Sequence, residues 1–185
     1  MDAVAASWPD GASQRAPLSS RLWCKAVESA EDWAVVIAMD EAAFAVDDHC
    51  NLAEYAEWQQ QGLKAILLFL GPDEQAQPVG AVEWERDDGV YVASVVVLPP
   101  ARRRGYATEA LDAIMQRTKC SRAWCKILDD NAASRRVFAK LGFVATAAML
   151  ARGYRVHVRE AGGGAVSPPL LAVSRAEPTE DCVTA

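Results

Sequence analysis

The residues best placed to do chemistry are Arg102-Arg103-Arg104-Gly105-Tyr106-Ala107. They follow the apolar run Val95-Val96-Val97-Leu98-Pro99-Pro100 and precede Thr108-Glu109-Ala110-Leu111. That order reads as a buried strand that breaks at a proline pair, turns through three cations and a glycine, and enters a helix. The first N–H groups of a helix have no internal partner and sit at the positive end of its dipole. Gly105 lets backbone approach a ligand closely, and small Ala107 does not obstruct it. Three guanidinium groups add donors suited to phosphate oxygens. The chemistry expected here is the binding of a phosphorylated anion.

Other reactive residue types are less well placed. Asp47-Asp48-His49-Cys50 contains metal-ligand types, but contiguous residues rarely converge on one ion, so loop or cap use is expected and no metal. His157 lies between Arg155 and Arg159 in a run where Tyr154, Val156 and Val158 alternate with them, which predicts a surface position on the wet face of a strand. Cys125 reads as a buried, inert thiol.

The elements that would position these groups follow from periodicity and breakers. Residues 22–27 read as a first strand. Ser29 with Glu31 and Asp32 marks a helix start leading into Trp33, Val36, Ile37 and Asp40. A second helix over 52–61 puts Tyr55 and Trp58 on one face and ends at Gly62. Strands are expected over 64–70, 79–86 and 90–98, the last two joined by the turn sequence Asp87-Asp88-Gly89. A helix over 107–119, a strand over 123–128, a helix over 131–141 and a final hairpin over 143–150 and 154–159 complete the order. The fold class is α+β, a mixed, mostly antiparallel sheet with helices on both faces. Residues 1–20 and 161–185 lack sustained periodicity and read as flexible tails around a domain spanning 21–160.

Composition narrows the function classes. With 185 residues, 51% hydrophobic, the chain can build one core of ordinary size. Its apolar runs, such as Ala65 to Leu70, are far short of the roughly 20 residues of a membrane span, so a soluble, cytoplasmic protein without a membrane partner is expected. Five cysteines, Cys24, Cys50, Cys120, Cys125 and Cys182, form no CxxC pair and are expected as reduced thiols. The net charge of −6 conceals a division: residues 21–100 hold 4 basic and 15 acidic residues, and residues 101–160 hold 13 and 5. A basic half suits an anion and an acidic half attracts a cation. An extended nucleic-acid surface is not expected against that acidic half.

Beyond the arginine loop comes Asp130-Asn131-Ala132-Ala133-Ser134-Arg135-Arg136-Val137-Phe138-Ala139-Lys140-Leu141-Gly142-Phe143. Taken together, RxxGxA and NxxS…KLGF closely resemble the GNAT superfamily of acetyl-CoA-dependent N-acetyltransferases. The wording is most similar to the branch containing the ribosomal-protein alanine N-acetyltransferases. The resemblance covers about 21–160 and is most specific from about 95 to 143.

It implies acetyl-CoA as acetyl donor and no metal. Backbone amides of Arg103, Arg104, Gly105, Tyr106, Ala107 and Thr108 would hold the pyrophosphate, with Arg102 also in the cofactor-binding loop, and Val95, Val96 and Val97 would pair with the pantetheine arm and thioester. Asn131 matches the asparagine that contacts the pantetheine; it is equally suited to cap a helix. Many relatives carry a tyrosine seven residues after that asparagine as general acid. Here that position is Phe138, and Ser134 becomes the substitute near the sulfur. Relatives also often place a glutamate on the strand before the loop, where this chain has Val92, Ala93 and Ser94. The nearest carboxylates are Glu83 and Glu85, two apart and so on one face; either could relay a proton if that face is the acceptor cleft. Trp33, Tyr55 and Trp58 fall in the helices that cover the acceptor side in such folds.

The function expected is transfer of acetyl from acetyl-CoA to a primary amine of a cationic small molecule or a protein N-terminus, by direct attack in a ternary complex. The alternative is a catalytically impaired acyl-CoA-binding regulatory or interaction module. A homodimer is left open.

Overall fold

The computed structural model describes residues 14–44, 50–73 and 75–160. The tail beyond Glu160, residues 1–13 and Asp47-Asp48-His49 lie outside the described residues.

The elements run β1 (Ala16–Pro17), β2 (Trp23–Ala26), α1 (Ala30–Ala43), α2 (Leu52–Gln60), β3 (Lys64–Phe69), β4 (Gly80–Arg86), β5 (Val90–Val97), α3 (Tyr106–Thr118), β6 (Arg122–Leu128), α4 (Ala132–Lys140), β7 (Val144–Met149) and β8 (Tyr154–Glu160). They form an eight-stranded sheet in the order β1-β2-β3-β4-β5-β6-β8-β7. Each neighbouring pair is antiparallel except β5 and β6, which run parallel. The expected α+β class, with a mostly antiparallel sheet between helices, is what forms.

Two apolar layers sandwich the sheet. On one face α3 and α4 contribute Tyr106, Leu111, Ile114 and Phe138 to a core with Leu22, Ile66, Val82, Trp84 and Val92. On the other, α1 and α2 contribute Trp33, Val36, Met39 and Tyr55 to a core with Ala65, Leu67, Ala81 and Val96. β4 and β5 feed both layers because successive strand residues point to opposite faces. The turn between them needs glycine at 89, since a Cβ there would meet the Arg122 carbonyl oxygen at 2.5 Å. The close pass of β6 depends on that missing side chain.

Residues 14–20, expected within a flexible tail, add a strand. Ala16 pairs with Cys24 and Pro17 with Trp23, and Leu18 is buried. The pairing is too short to produce any periodicity, and partners in α3 hold it. Arg117 donates to the Pro17 carbonyl at 2.6 Å.

A second correction concerns His157. The final strand does not end the sheet but inserts between β6 and β7, where His157 is flanked in register by Cys125 and Ala145. Both neighbours are small, and the imidazole is only 5% exposed. Its Nε2 is buried without a hydrogen-bond partner. Burial first, and the Arg155 charge second, hold its pKa below the ordinary value.

Candidate functional site

Among the described residues, three of the four α-helices begin with a side-chain cap. Ser29 accepts from Asp32 N at 3.1 Å, Asn51 from Ala53 N and Glu54 N at 2.9 and 3.2 Å, and Asn131 from Ser134 N at 3.0 Å. Each such bond satisfies an amide that would otherwise be stranded, worth typically about 1 kcal/mol. α3 starts differently. Its N-cap is Gly105, in the left-handed region at φ 86°, with no side-chain cap bond. The first helical backbone bond closes from Glu109 N to Gly105 O at 3.0 Å, so the amides of Tyr106, Ala107 and Thr108 point out of the helix end.

The preceding loop is shaped for the same purpose. Arg103 also has a positive φ, 64°, a conformation that costs a non-glycine residue of order 1 kcal/mol or more and is typically kept where function requires it. Alternating left-handed residues turn successive N–H groups toward one concave side, which suits an anion. Arg102 does not extend outward alone: its Nε donates back to the Val97 carbonyl at 2.8 Å, tying the loop to the end of β5.

The loop stands at the mouth of a wedge. β5 and β6 pair only through Val90–Ala123, Tyr91–Trp124 and Val92–Cys125, although β5 continues to Val97 and β6 to Leu128. Beyond those three rungs the strands part, so Val95, Val96 and Val97 stand on one wall. The other wall leads through Leu128 and Asp129 into α4, whose first turn carries Asn131 and Ser134. Asp129 is held by both Nε and Nη2 of Arg155 at 2.8 and 2.9 Å, fixing that turn to β8. The Asn131 side chain is engaged as a cap, and Phe138 packs edge-on against Phe143 at 5.0 Å between centroids, so the phenylalanine is a core residue.

Where the wedge opens, β5 carries an irregularity. Glu83 pairs with Ser94 and Trp84 with Val92, leaving Ala93 as an extra residue, a bulge of the kind that interrupts ladder bonding and re-aims groups. Opposite it, on the α1–α2 face, Glu83 is 1% exposed inside the second apolar layer. Tyr55 Oη lies 3.5 Å from Glu83 Oε1 and donates to Asp40 Oδ2; Tyr55 and Asp40 are 3% and 8% exposed. Burial, followed by the charges of Glu83 and Asp40, pushes the Tyr55 phenol far above its ordinary range, so it serves as a hydrogen-bond donor. Trp33 and Trp58 flank this phenol ring at 5.0 and 5.3 Å. Two carboxylates and one phenol in an apolar layer are costly to bury without a cation or proton to share.

Glu85 is the other sequence candidate. It lies on the same face but is partly exposed, beside Tyr91 in register. Asp40 was not anticipated from the sequence: its only signal was its place in a helix whose buried positions recur every three or four residues. Arg21 was not anticipated either. Its guanidinium lies 3.7 Å from where a Gly105 Cβ would be.

Among the described residues, no group of three or more His, Cys, Asp or Glu is placed to hold a metal, and no helix is long and apolar enough to cross a membrane. Among the described residues no two cysteines are joined in a disulfide; burial pushes the Cys125 thiol well above its ordinary range, as suits an inert one.

Compared with known proteins, the chain matches the family described as "Acetyltransferase (GNAT) family" over residues 33–143. No curated protein sequence matches it. Among solved structures, the Escherichia coli ribosomal-protein-S18-alanine N-acetyltransferase is similar at TM-score 0.60 and 14% identity, covering 81% of this chain and 98% of that one. RimL, a ribosomal L7/L12 alpha-N-protein acetyltransferase in complex with coenzyme A, is similar at TM-score 0.60 and 16% identity, with coverages of 80% and 98%. A chain of the NatC complex bound to Gag peptide and CoA gives TM-score 0.60 and 16% identity, with coverages of 76% and 98%. At such identities the likeness is one of fold. The family match spans more than half the chain, including the wedge, the uncapped helix and the Asn131 turn: this protein belongs to the GNAT acetyltransferase family.

Proposed function

We propose that the protein transfers an acetyl group from acetyl-CoA to a primary amine, carried by a protein N-terminus or a cationic small molecule, by direct attack in a ternary complex. One observation carries this reading: the described helix that lacks a side-chain cap begins at the mouth of the wedge where β5 and β6 part. A phosphate on the Tyr106, Ala107 and Thr108 amides would leave the rest of an extended ligand facing the free edge of Val95–Val97. The residues present fit that substrate. The loop is cationic, its glycine leaves the approach open, and the adjoining Val95–Val97 edge is not paired with β6. Of the structures similar in fold, the NatC and RimL ones hold CoA and RimL is an alpha-N-protein acetyltransferase, which supports the donor and one acceptor class.

On this reading the chemistry divides between the two faces. An amine attacks only as the free base, yet near the lysine pKa of ~10.4 it is almost wholly protonated at neutral pH. Glu83 accepts that proton, with Tyr55 and Asp40 behind it. Their shared burial favours a cation brought beside them before transfer. The nitrogen lone pair forms the new C–N bond at the thioester carbonyl carbon, and the electrons of the C–S bond leave with sulfur. A β5 amide at the bulge donates to the carbonyl oxygen as charge develops there. The sulfur, with a thiol pKa of ~8.5, needs little help as leaving group. The Ser134 hydroxyl, in the first turn of α4, passes its proton to the sulfur and is refilled, through water, by the second proton that the nitrogen sheds as the amide forms. Glu85 is an alternative carrier toward solvent.

Acetyl-CoA added to a panel of primary amines, with detection of released thiol, tests the reading. Amine-dependent release is expected. Saturable acetyl-CoA binding with no release beyond hydrolysis would instead indicate an acyl-CoA-binding module.

A further inference from the structure

The turn between β1 and β2 touches the phosphate loop through one side chain. Arg21 donates through Nη1 to the Arg104 carbonyl at 3.3 Å and through Nε to Glu109 Oε2 at 2.8 Å; its Nη2 bonds the same carboxylate oxygen. The guanidinium carbon is 5.2 Å from the Tyr106 ring centroid. Ser19 donates to the other Glu109 oxygen and its Oγ accepts from Leu22 N at 3.0 Å. The side chain of Arg21 remains 52% exposed and that of Glu109 16%.

Two consequences follow for the loop. In a trans peptide the C=O and the following N–H point in opposite directions. Holding the Arg104 carbonyl outward therefore turns the Gly105 N–H toward the opposite side of the loop, along with the positive-φ geometry of Arg103. Glu109 is the second consequence. It stands in the first turn of α3, where a carboxylate suits the helix dipole but repels an incoming phosphate. Arg21 and Ser19 tie both its oxygens away and neutralise it.

From this geometry we propose that Arg21 is a positioning residue for the pyrophosphate of acetyl-CoA, aligning the Arg104–Gly105 peptide and masking the Glu109 charge. The inference rests on the acetyl-CoA reading above. It extends the donor site to a segment that lies more than 80 residues upstream in the chain.

The test compares Arg21→Gln, Arg21→Lys, Glu109→Gln and the Arg21→Gln/Glu109→Gln double variant. Calorimetry measures the acetyl-CoA dissociation constant, and steady-state kinetics use both acetyl-CoA and S-acetylpantetheine, the donor arm without its phosphates. Arg21→Gln is expected to weaken acetyl-CoA binding about tenfold, as losing a charged hydrogen-bond partner does. KM for acetyl-CoA should rise with kcat nearly unchanged. Kinetics with S-acetylpantetheine should not change. Adding Glu109→Gln should recover part of the lost affinity, because the unmasked charge is gone, and Arg21→Lys should fall between. Melting temperatures without ligand identify any variant that fails to fold, in which case Arg21→Lys and Glu109→Gln carry the comparison. Acetyl-CoA binding by Arg21→Gln within twofold of the unaltered protein would overturn the positioning role and leave the acetyl-CoA reading standing. Equal losses with both donors would also overturn it. Absence of acetyl-CoA binding by the unaltered protein would overturn both.

Discussion

The two faces of the sheet build sites in different ways. On the α3–α4 side, the proposed anion site is made of backbone: a left-handed glycine, three helix-end amides and the edge of a strand that leaves its neighbour. On the α1–α2 side, the acidic site is made of side chains, one each from α1, α2 and β4, meeting across an apolar layer. Backbone sites depend on contiguous residues and leave a short motif. A side-chain site assembled from three elements leaves no motif, only a local excess of acid.

Variants on each side should break that contrast in different observables. The largest effect is expected at the backbone site. Gly105→Trp places a bulky side chain at a positive φ against the anion cradle, and should abolish the stabilisation by acetyl-CoA that a ligand at 100 times its dissociation constant supplies, about 2.7 kcal/mol. Thermal melting with and without acetyl-CoA reads this out; a folded variant that keeps the full shift would show that the loop is not the phosphate site. Next comes Glu83→Gln, expected to lower kcat by about 10²-fold at neutral pH while leaving acetyl-CoA binding unchanged. Glu85→Gln should have a far smaller effect. A reversal of that order would move the proton acceptor to the exposed carboxylate. Ser134→Ala should reduce kcat about tenfold with unchanged donor affinity; an unaltered rate would restrict Ser134 to the first turn of α4, where its amide already meets Asn131.

The smallest effect concerns His157. Its folded-state pKa lies below the ordinary value of 6.5, so the unfolded chain binds the extra proton first. Stability from this group is complete above about pH 6.5 and is lost as pH falls through the folded-state value. The melting temperature should therefore drop a few degrees more between pH 7.5 and pH 5.5 in the unaltered protein than in His157→Gln. Parallel pH profiles would place the imidazole in water after all.

Much of the fold was legible because periodicity is local. The stripe of Ala110, Leu111 and Ile114, the Asp87-Asp88-Gly89 turn and the Ser29 cap each report on a few neighbouring residues. The turn through Arg102–Gly105 into α3 was legible for the same reason. His157 misled because alternation in one strand cannot say whether that strand ends a sheet or is inserted between two others. β1 escaped notice because a two-residue strand has no period, and its stability comes from α3. Arg21 and Glu109 are separated by 88 positions, and Asp40 meets Tyr55 only once α1 and α2 are folded together. No pattern along the chain encodes such meetings.

The most direct test of the central claim is the rate of CoA thiol release at saturating acetyl-CoA across a panel of protein N-terminal peptides, polyamines and small primary amines. Release is expected to rise with at least one cationic amine and to fall sharply in Glu83→Gln. Release equal to hydrolysis for every amine, despite saturable acetyl-CoA binding, would contradict it.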